Sequence, residues 1–137
     1  MRARRPSKKP ERSRGAAAVE FALVLPLLMM VVFGAIQIGT LFNRQQGLHA
    51  AAREGARIAA LPLTTQTEIT AATTSALDGV VLAGSPTITI TPNVTQPCEN
   101  RPGEPVVVEI SVPTALEIPM YGTVTKTLKG RGEFRCE

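Results

Sequence analysis

Residues Gly15 to Ile38 read GAAAVEFALVLPLLMMVVFGAIQI, apolar nearly throughout and carrying one acid, Glu20. As a helix rising about 1.5 Å per residue, a run of this length crosses a hydrocarbon core of about 30 Å. Immediately before it lies the segment MRARRPSKKPERSR. The first 15 residues hold seven basic side chains and one acid, a balance of +6. The whole chain carries +4, so everything after the leader comes to −2. Lys and Arg beside a first span hold that end in the cytoplasm. No aromatic residue lies among these charges, so the leader reads as a topology signal and not as a nucleic-acid-binding tail. A chain of 137 residues has room for one span and one small domain, but not for a large catalytic core.

A secretory signal peptide also opens with basic residues and an apolar run. Its apolar region is about 7–15 residues and closes on a small-x-small cleavage site. The present run is longer, holds Glu20 in its first turns, and meets no clear site of that kind before Asn43. The order of basic leader, Gly15, Ala16-Ala17-Ala18-Val19, Glu20 and an apolar helix is instead similar to a prepilin peptidase site. The cut there follows the glycine, and the acid falls fifth in the mature chain. Glycine leaves the backbone open to a protease in extended form. Cleavage would give Ala16 a free amine with which Glu20, of the same or a neighbouring subunit, can pair, offsetting the burial of an acid. The alternative is an uncleaved span whose Glu20 snorkels to the headgroups. Pro26 and Gly34 lie inside the span. The proline removes one helix hydrogen bond, either as a tolerated kink or as a point of flexure.

Residues Gly39 to Leu61, GTLFNRQQGLHAAAREGARIAAL, contain no proline, so the helix is expected to continue to Pro62. From Gly15 through this segment the sequence resembles the N-terminal region of TadE-like proteins, minor pilins or pseudopilins of the tight-adherence (Flp-type) pilus system. The residues carrying the resemblance are Gly15, Val19-Glu20-Phe21-Ala22, Pro26, Phe33-Gly34, Gly39 and Ala52-Arg53-Glu54-Gly55-Ala56-Arg57, over about a third of the chain. Gln37 departs from the pattern, since the family often has a second acid there. The resemblance implies a pilin-like subunit anchored in the bacterial inner membrane by a single pass, with the N-terminus inside. It would be matured by prepilin peptidase after Gly15 and would work with other pilins or pilus assembly proteins. Gly15, Ala16 and Glu20 map onto the processing site, and the family supplies no catalytic residues. The other reading is an uncleaved, membrane-anchored accessory protein whose exterior domain binds another envelope component.

The expected organisation is a leader over residues 1–15, a transmembrane helix over 16–38, a helical stem over 39–61 and an exported α+β domain over 62–137. On the stem, Leu41, Leu48 and Gly55 recur at heptad spacing, with Ala52, Ala56 and Ala59 on or near the stripe. Leu48 and these small residues suit close helix–helix packing. Arg53 and Arg57, one turn apart, can meet acids on a partner or lipid headgroups, or can simply be solvated.

In the last segment, Thr65-Gln66-Thr67-Glu68 is a capping box. Ile69, Ala72, Ala76, Leu77 and Val80 then keep helical spacing until Asp78-Gly79. Thr87–Thr91 and Val106–Val112 alternate as strands, and Thr123–Leu128 is a third, giving a small antiparallel sheet. Pro92–Pro105 and Thr114–Gly122 read as loops, with Leu116, Ile118, Met120 and Tyr121 placed to cover the sheet. Asn93-Val94-Thr95 is a sequon in form and reads as a chance loop sequence. The tail Gly130–Glu137 can continue the third strand and bring Cys136 back toward Cys98, while its GRGEF stretch reads as a turn. Both cysteines fall on the expected exterior side, where a disulfide persists. Their one possible pairing closes a loop worth about 3–4 kcal/mol in the chain-entropy model, the alternative being two free thiols.

Enzyme readings fail by inventory. His49 is the lone histidine and reads as an ordinary helix residue. There is no metal-spaced cysteine–histidine cluster and no phosphate-binding loop. No cofactor, metal or small-molecule substrate is expected.

Overall fold

The computed structural model describes residues 12–118 and 122–137. Its first element, α1 (Arg12–Ala59), runs through both the apolar stretch and the segment after it, Pro26 included. Helix α2 (Gln66–Ala76) follows, then strands β1 (Thr87–Thr91), β2 (Pro105–Ile118) and β3 (Gly122–Arg135). By internal contacts the chain divides into two units, Met1–Ile36 and Gln37–Glu137. The expected fold class, a long apolar helix followed by a short helix and a small antiparallel sheet, is what the chain adopts.

In the first unit the described side chains are almost all exposed. Val19, Phe21, Leu23, Leu27, Val31 and Ile36 each stand more than half open. A helix that is apolar on every side and packs on nothing of its own is suited to a lipid environment. It is long and apolar enough to cross a membrane.

The second unit is built on a meander in which β2 lies between β1 and β3, both antiparallel to it. The alternation read from Val106–Val112 is realised: Val106, Val108, Ile110 and Val112 are buried on one face. The other face is polar. There Thr89 pairs with Glu109, and Glu109 with Arg131, across the ladder. Lys129 holds Glu109 at 2.9 Å. That ion pair keeps the Glu109 carboxyl below the usual carboxylate range, with Arg131 adding to the effect.

The apolar face is covered by the C-terminal part of α1 and by α2. Leu48, Ala51 and Ala52 pack with Leu77, Ile110, Val112 and Leu128. Ala56, Ala59 and Ala60 pack with Ile69, Ile90, Val106, Val108 and the two cysteines. Contact between α1 and β3 is made backbone to backbone. A side chain at Gly130 would overlap the Leu48 carbonyl, and one at Gly132 the Ala52 carbonyl. Ile110 and Val108 stand opposite these glycines in the register and supply the apolar bulk. Gly55 instead packs on the Thr73 side chain of α2, whose hydroxyl a side chain at Gly55 would overlap.

Helix α2 begins as its capping box requires. The Thr65 amide donates to the Glu68 carboxylate at 2.8 Å, and the Glu68 amide returns to the Thr65 hydroxyl. These bonds, the backbone one foremost, hold the Glu68 carboxyl below its ordinary range. After Leu77 the chain turns through Gly79 at φ +89°, a conformation that favours glycine.

Three expectations are corrected. GRGEF is not a turn, because Gly130 to Arg135 lie within β3 and pair with β2. Thr114–Ile118 is strand and not loop, since β2 continues through Pro113 opposite Thr127. Strand β1 pairs with β2 only as far as Ser111, so Pro113 sits where one side of β2 carries no ladder, the place a strand tolerates proline. Helix α1 stops at Ala59, short of Leu61. Of the residues expected to cover the sheet, Leu116 is half-buried in β2. Met120, Tyr121 and the Ile118 side chain lie outside the described residues, as does the leader through Glu11.

The end of the chain is clipped in place. Cys136 exchanges backbone bonds with Gly103 and Glu104, and the Glu137 amide donates to the Ala60 carbonyl at 3.0 Å. Cys98 and Cys136 form the expected disulfide, with Cα atoms 5.3 Å apart and both residues buried.

Candidate functional site: an apolar helix segment headed by a processing motif

Gly15, Ala16 and Glu20 lie together on the first turns of α1. Gly15 is helical rather than extended, and nothing lies within 4 Å of the position a side chain would take there. Peptidase cleavage after Gly15 therefore requires the first turns to unwind. Ala16 and Glu20 are exposed, and Glu20 has no hydrogen-bond or ion-pair partner among the described residues. The four-residue interval puts the Ala16 nitrogen and the Glu20 side chain on neighbouring turns. In the intact chain that nitrogen is a peptide amide and carries no charge. After a cut at Gly15 it would be an ammonium group within reach of an otherwise solitary carboxylate.

Around Glu20 the surface is hydrocarbon: Val19, Phe21, Leu23 and Val24 are all exposed. A carboxylate in such a setting costs about 2.5–3.5 kcal/mol at mid-bilayer on insertion scales, and less toward the interface. A free amine one turn away would offset that cost.

The residues expected to serve helix–helix packing are placed differently from a free surface. Leu48, Ala52, Ala56 and Ala59 are fully buried, and Gly55 is buried against Thr73. The stripe is filled by the chain's own sheet and by α2, so it does not offer an open face to another subunit. Arg53 and Arg57 are exposed. Arg57 forms a two-pronged bond to Glu54, at 2.7 and 3.0 Å. The pair is largely solvated, so it contributes little. Arg53 has no ion pair among the described residues.

His49 has a role that its lone appearance in an alanine-rich helix did not suggest. The Arg131 amide donates to His49 Nδ1 at 3.3 Å, and Gln45 donates to the Lys129 carbonyl. These two side chains bind backbone groups of β3, an edge strand of the sheet. A polar pair one turn apart on a helix was the available signal, but the strand it meets lies some eighty residues on. Among the described residues no group of three or more His, Cys, Asp or Glu side chains is placed to hold a metal.

Neither the curated proteins nor the solved structures gave a match to this chain. A family model did: residues 15–57 match the one described as TadE-like protein. The matched stretch begins at Gly15 and ends at Arg57, two residues before α1 does. It takes in the whole apolar run and the buried stripe as far as Ala56. Over residues 15–57, then, this chain is similar to TadE-like proteins, a likeness that suggests a pilus-associated protein, and its α1 is long and apolar enough to cross a membrane.

Proposed function

We propose that this protein is a pilin-like subunit of a tight-adherence, Flp-type pilus assembly system, anchored by residues 16–38 in the inner membrane with residues 39–137 outside. In this reading residues 1–15 are a leader removed by prepilin peptidase, and the partners are that peptidase and other pilus proteins. The observation that carries the reading is the coincidence of two features. Gly15 and Glu20 stand at processing spacing at the head of a largely exposed apolar helix, and the TadE-like match starts at that same glycine. The disulfide suits an exterior, oxidising compartment. The second unit supplies a small folded head whose core is closed by α1 itself. Any subunit-to-subunit packing through α1 would then use its apolar run and not the buried stripe.

The test is deletion of the gene in its native host, followed by electron microscopy of surface fibres. Loss of pili, restored by the wild-type chain and not by Gly15→Ala, is the expected result. Unchanged piliation would contradict the assembly role. The helical state of Gly15 favours one other reading, an uncleaved anchored accessory protein. In that case Gly15→Ala would restore function as well as the wild type.

A further inference from the structure

At the start of the second unit, α1 and β3 enclose a groove of about 420 Å³. Its apolar wall is formed by Ile38, Leu41, Phe42 and Leu128, and Lys126 stands at its margin. Ile38 is the last residue of the apolar run. Gly132 lies on Ala52, Gly130 on Leu48, and Leu128 and Lys126 share the groove with Leu41 and Ile38. Strand β3 therefore lies alongside α1 from Ala52 back to Ile38. Lys126 belongs to the face of β3 that carries Leu128, Gly130 and Gly132, the face turned to α1.

Two features say what kind of group would fill this groove. Ile38 and Phe42 are 69% and 65% exposed, which leaves apolar surface uncovered beside the end of the membrane-compatible stretch. Lys126 has no ion-pair partner among the described residues, whereas nearby Lys129 is neutralised by Glu109. An apolar wall continuous with a bilayer span, with one unneutralised cation at its edge, matches an amphiphile with a hydrocarbon chain and an anionic head.

We propose that this groove binds an anionic phospholipid of the surrounding bilayer. The acyl region would lie against Ile38, Leu41, Phe42 and Leu128, and the phosphate would face Lys126. This rests on the membrane-anchored reading above. Its consequence is that the second unit binds bilayer lipid through charge, in addition to the anchoring by the span.

The chain contains no tryptophan, so Phe42→Trp makes a unique fluorescent reporter. The full chain is reconstituted in vesicles of phosphatidylcholine with phosphatidylglycerol, with either lipid brominated on its acyl chains in turn. Brominated phosphatidylglycerol is expected to quench the Phe42→Trp reporter more strongly than brominated phosphatidylcholine. Adding Lys126→Gln should reduce that preference by about fivefold, with the circular dichroism spectrum unchanged. Equal quenching by the two lipids, or a preference that survives Lys126→Gln, would overturn the proposal. So would a reporter shielded from both lipids whose emission shifts as protein is diluted into excess lipid, since a second copy would then fill the groove. A Phe33→Trp control separates the two readings. If it is quenched by either lipid while Phe42→Trp shows no preference, the groove proposal alone fails; if it is not quenched at all, the membrane anchor fails.

Discussion

Gly132 of β3 rests on the backbone of Ala52 in α1, leaving no room for a side chain between strand and helix. The same contact recurs two residues earlier, between Gly130 and Leu48, so α1 is docked on β3 through main-chain atoms. Because neither backbone can yield cheaply, Gly132→Ala should destabilise the second unit by about 1–3 kcal/mol, as overpacked cores do. Denaturant unfolding of the full chain in detergent, followed by circular dichroism, measures this. An exposed glycine with nothing near it, such as Gly103 changed to Asn, serves as the comparison and should cost less.

The capping box at Thr65 and Glu68 gives a prediction with a pH signature. Thr65→Ala removes the hydroxyl that caps α2 and should cost about 1 kcal/mol. The Glu68 carboxyl is depressed in the folded chain, so its contribution is complete above the unfolded carboxylate value of about 4.3. It is lost as pH falls through the lower, folded value. Glu109, depressed by Lys129, acts in the same window and the same direction. Amide exchange at the start of α2, followed from neutral pH into acid, should show protection falling in that window for the wild type. In Glu68→Gln that fall should be smaller.

Cys98 and Cys136 close a loop with a sequence separation of 38. Reducing the bond, or Cys136→Ser, should lower stability by about 3–4 kcal/mol in the chain-entropy model. Unfolding with and without reductant reads the difference. The C-terminal residues should become more accessible to carboxypeptidase, because backbone bonds alone, from Cys136 to Gly103 and Glu104 and from Glu137 to Ala60, then hold them.

Among the described residues Glu20 has no partner, and a processed chain would give it the Ala16 amine. Glu20→Leu is therefore expected to leave membrane insertion intact, or to improve it, while reducing fibre assembly. Membrane fractionation and electron microscopy read the two effects separately. Equal loss of both would mean that Glu20 serves insertion or folding.

Much of the fold was legible where a residue's neighbours in sequence decide its state. The apolar run, the capping box, and the alternation in Thr87–Thr91 and Val106–Val112 are local signals, and each element lies where those signals put it. What was not legible depends on contacts between distant segments. Pro113 and the glycines of GRGEF carry strong local turn signals. They are strand because β2 and β3 pair along their whole length and because α1 needs glycine beneath it. The Leu48–Ala59 stripe showed that something must approach closely, but its period could not say that the partner was the chain's own sheet and α2. The bond from His49 to Arg131 was hidden for the same reason.

The central claim is maturation at Gly15, and the most direct measurement is intact mass with N-terminal sequencing of the membrane form from the native host, beside Gly15→Ala. The account predicts a native chain that begins at Ala16 and a variant that keeps its leader. A native chain still beginning at Met1 would contradict it.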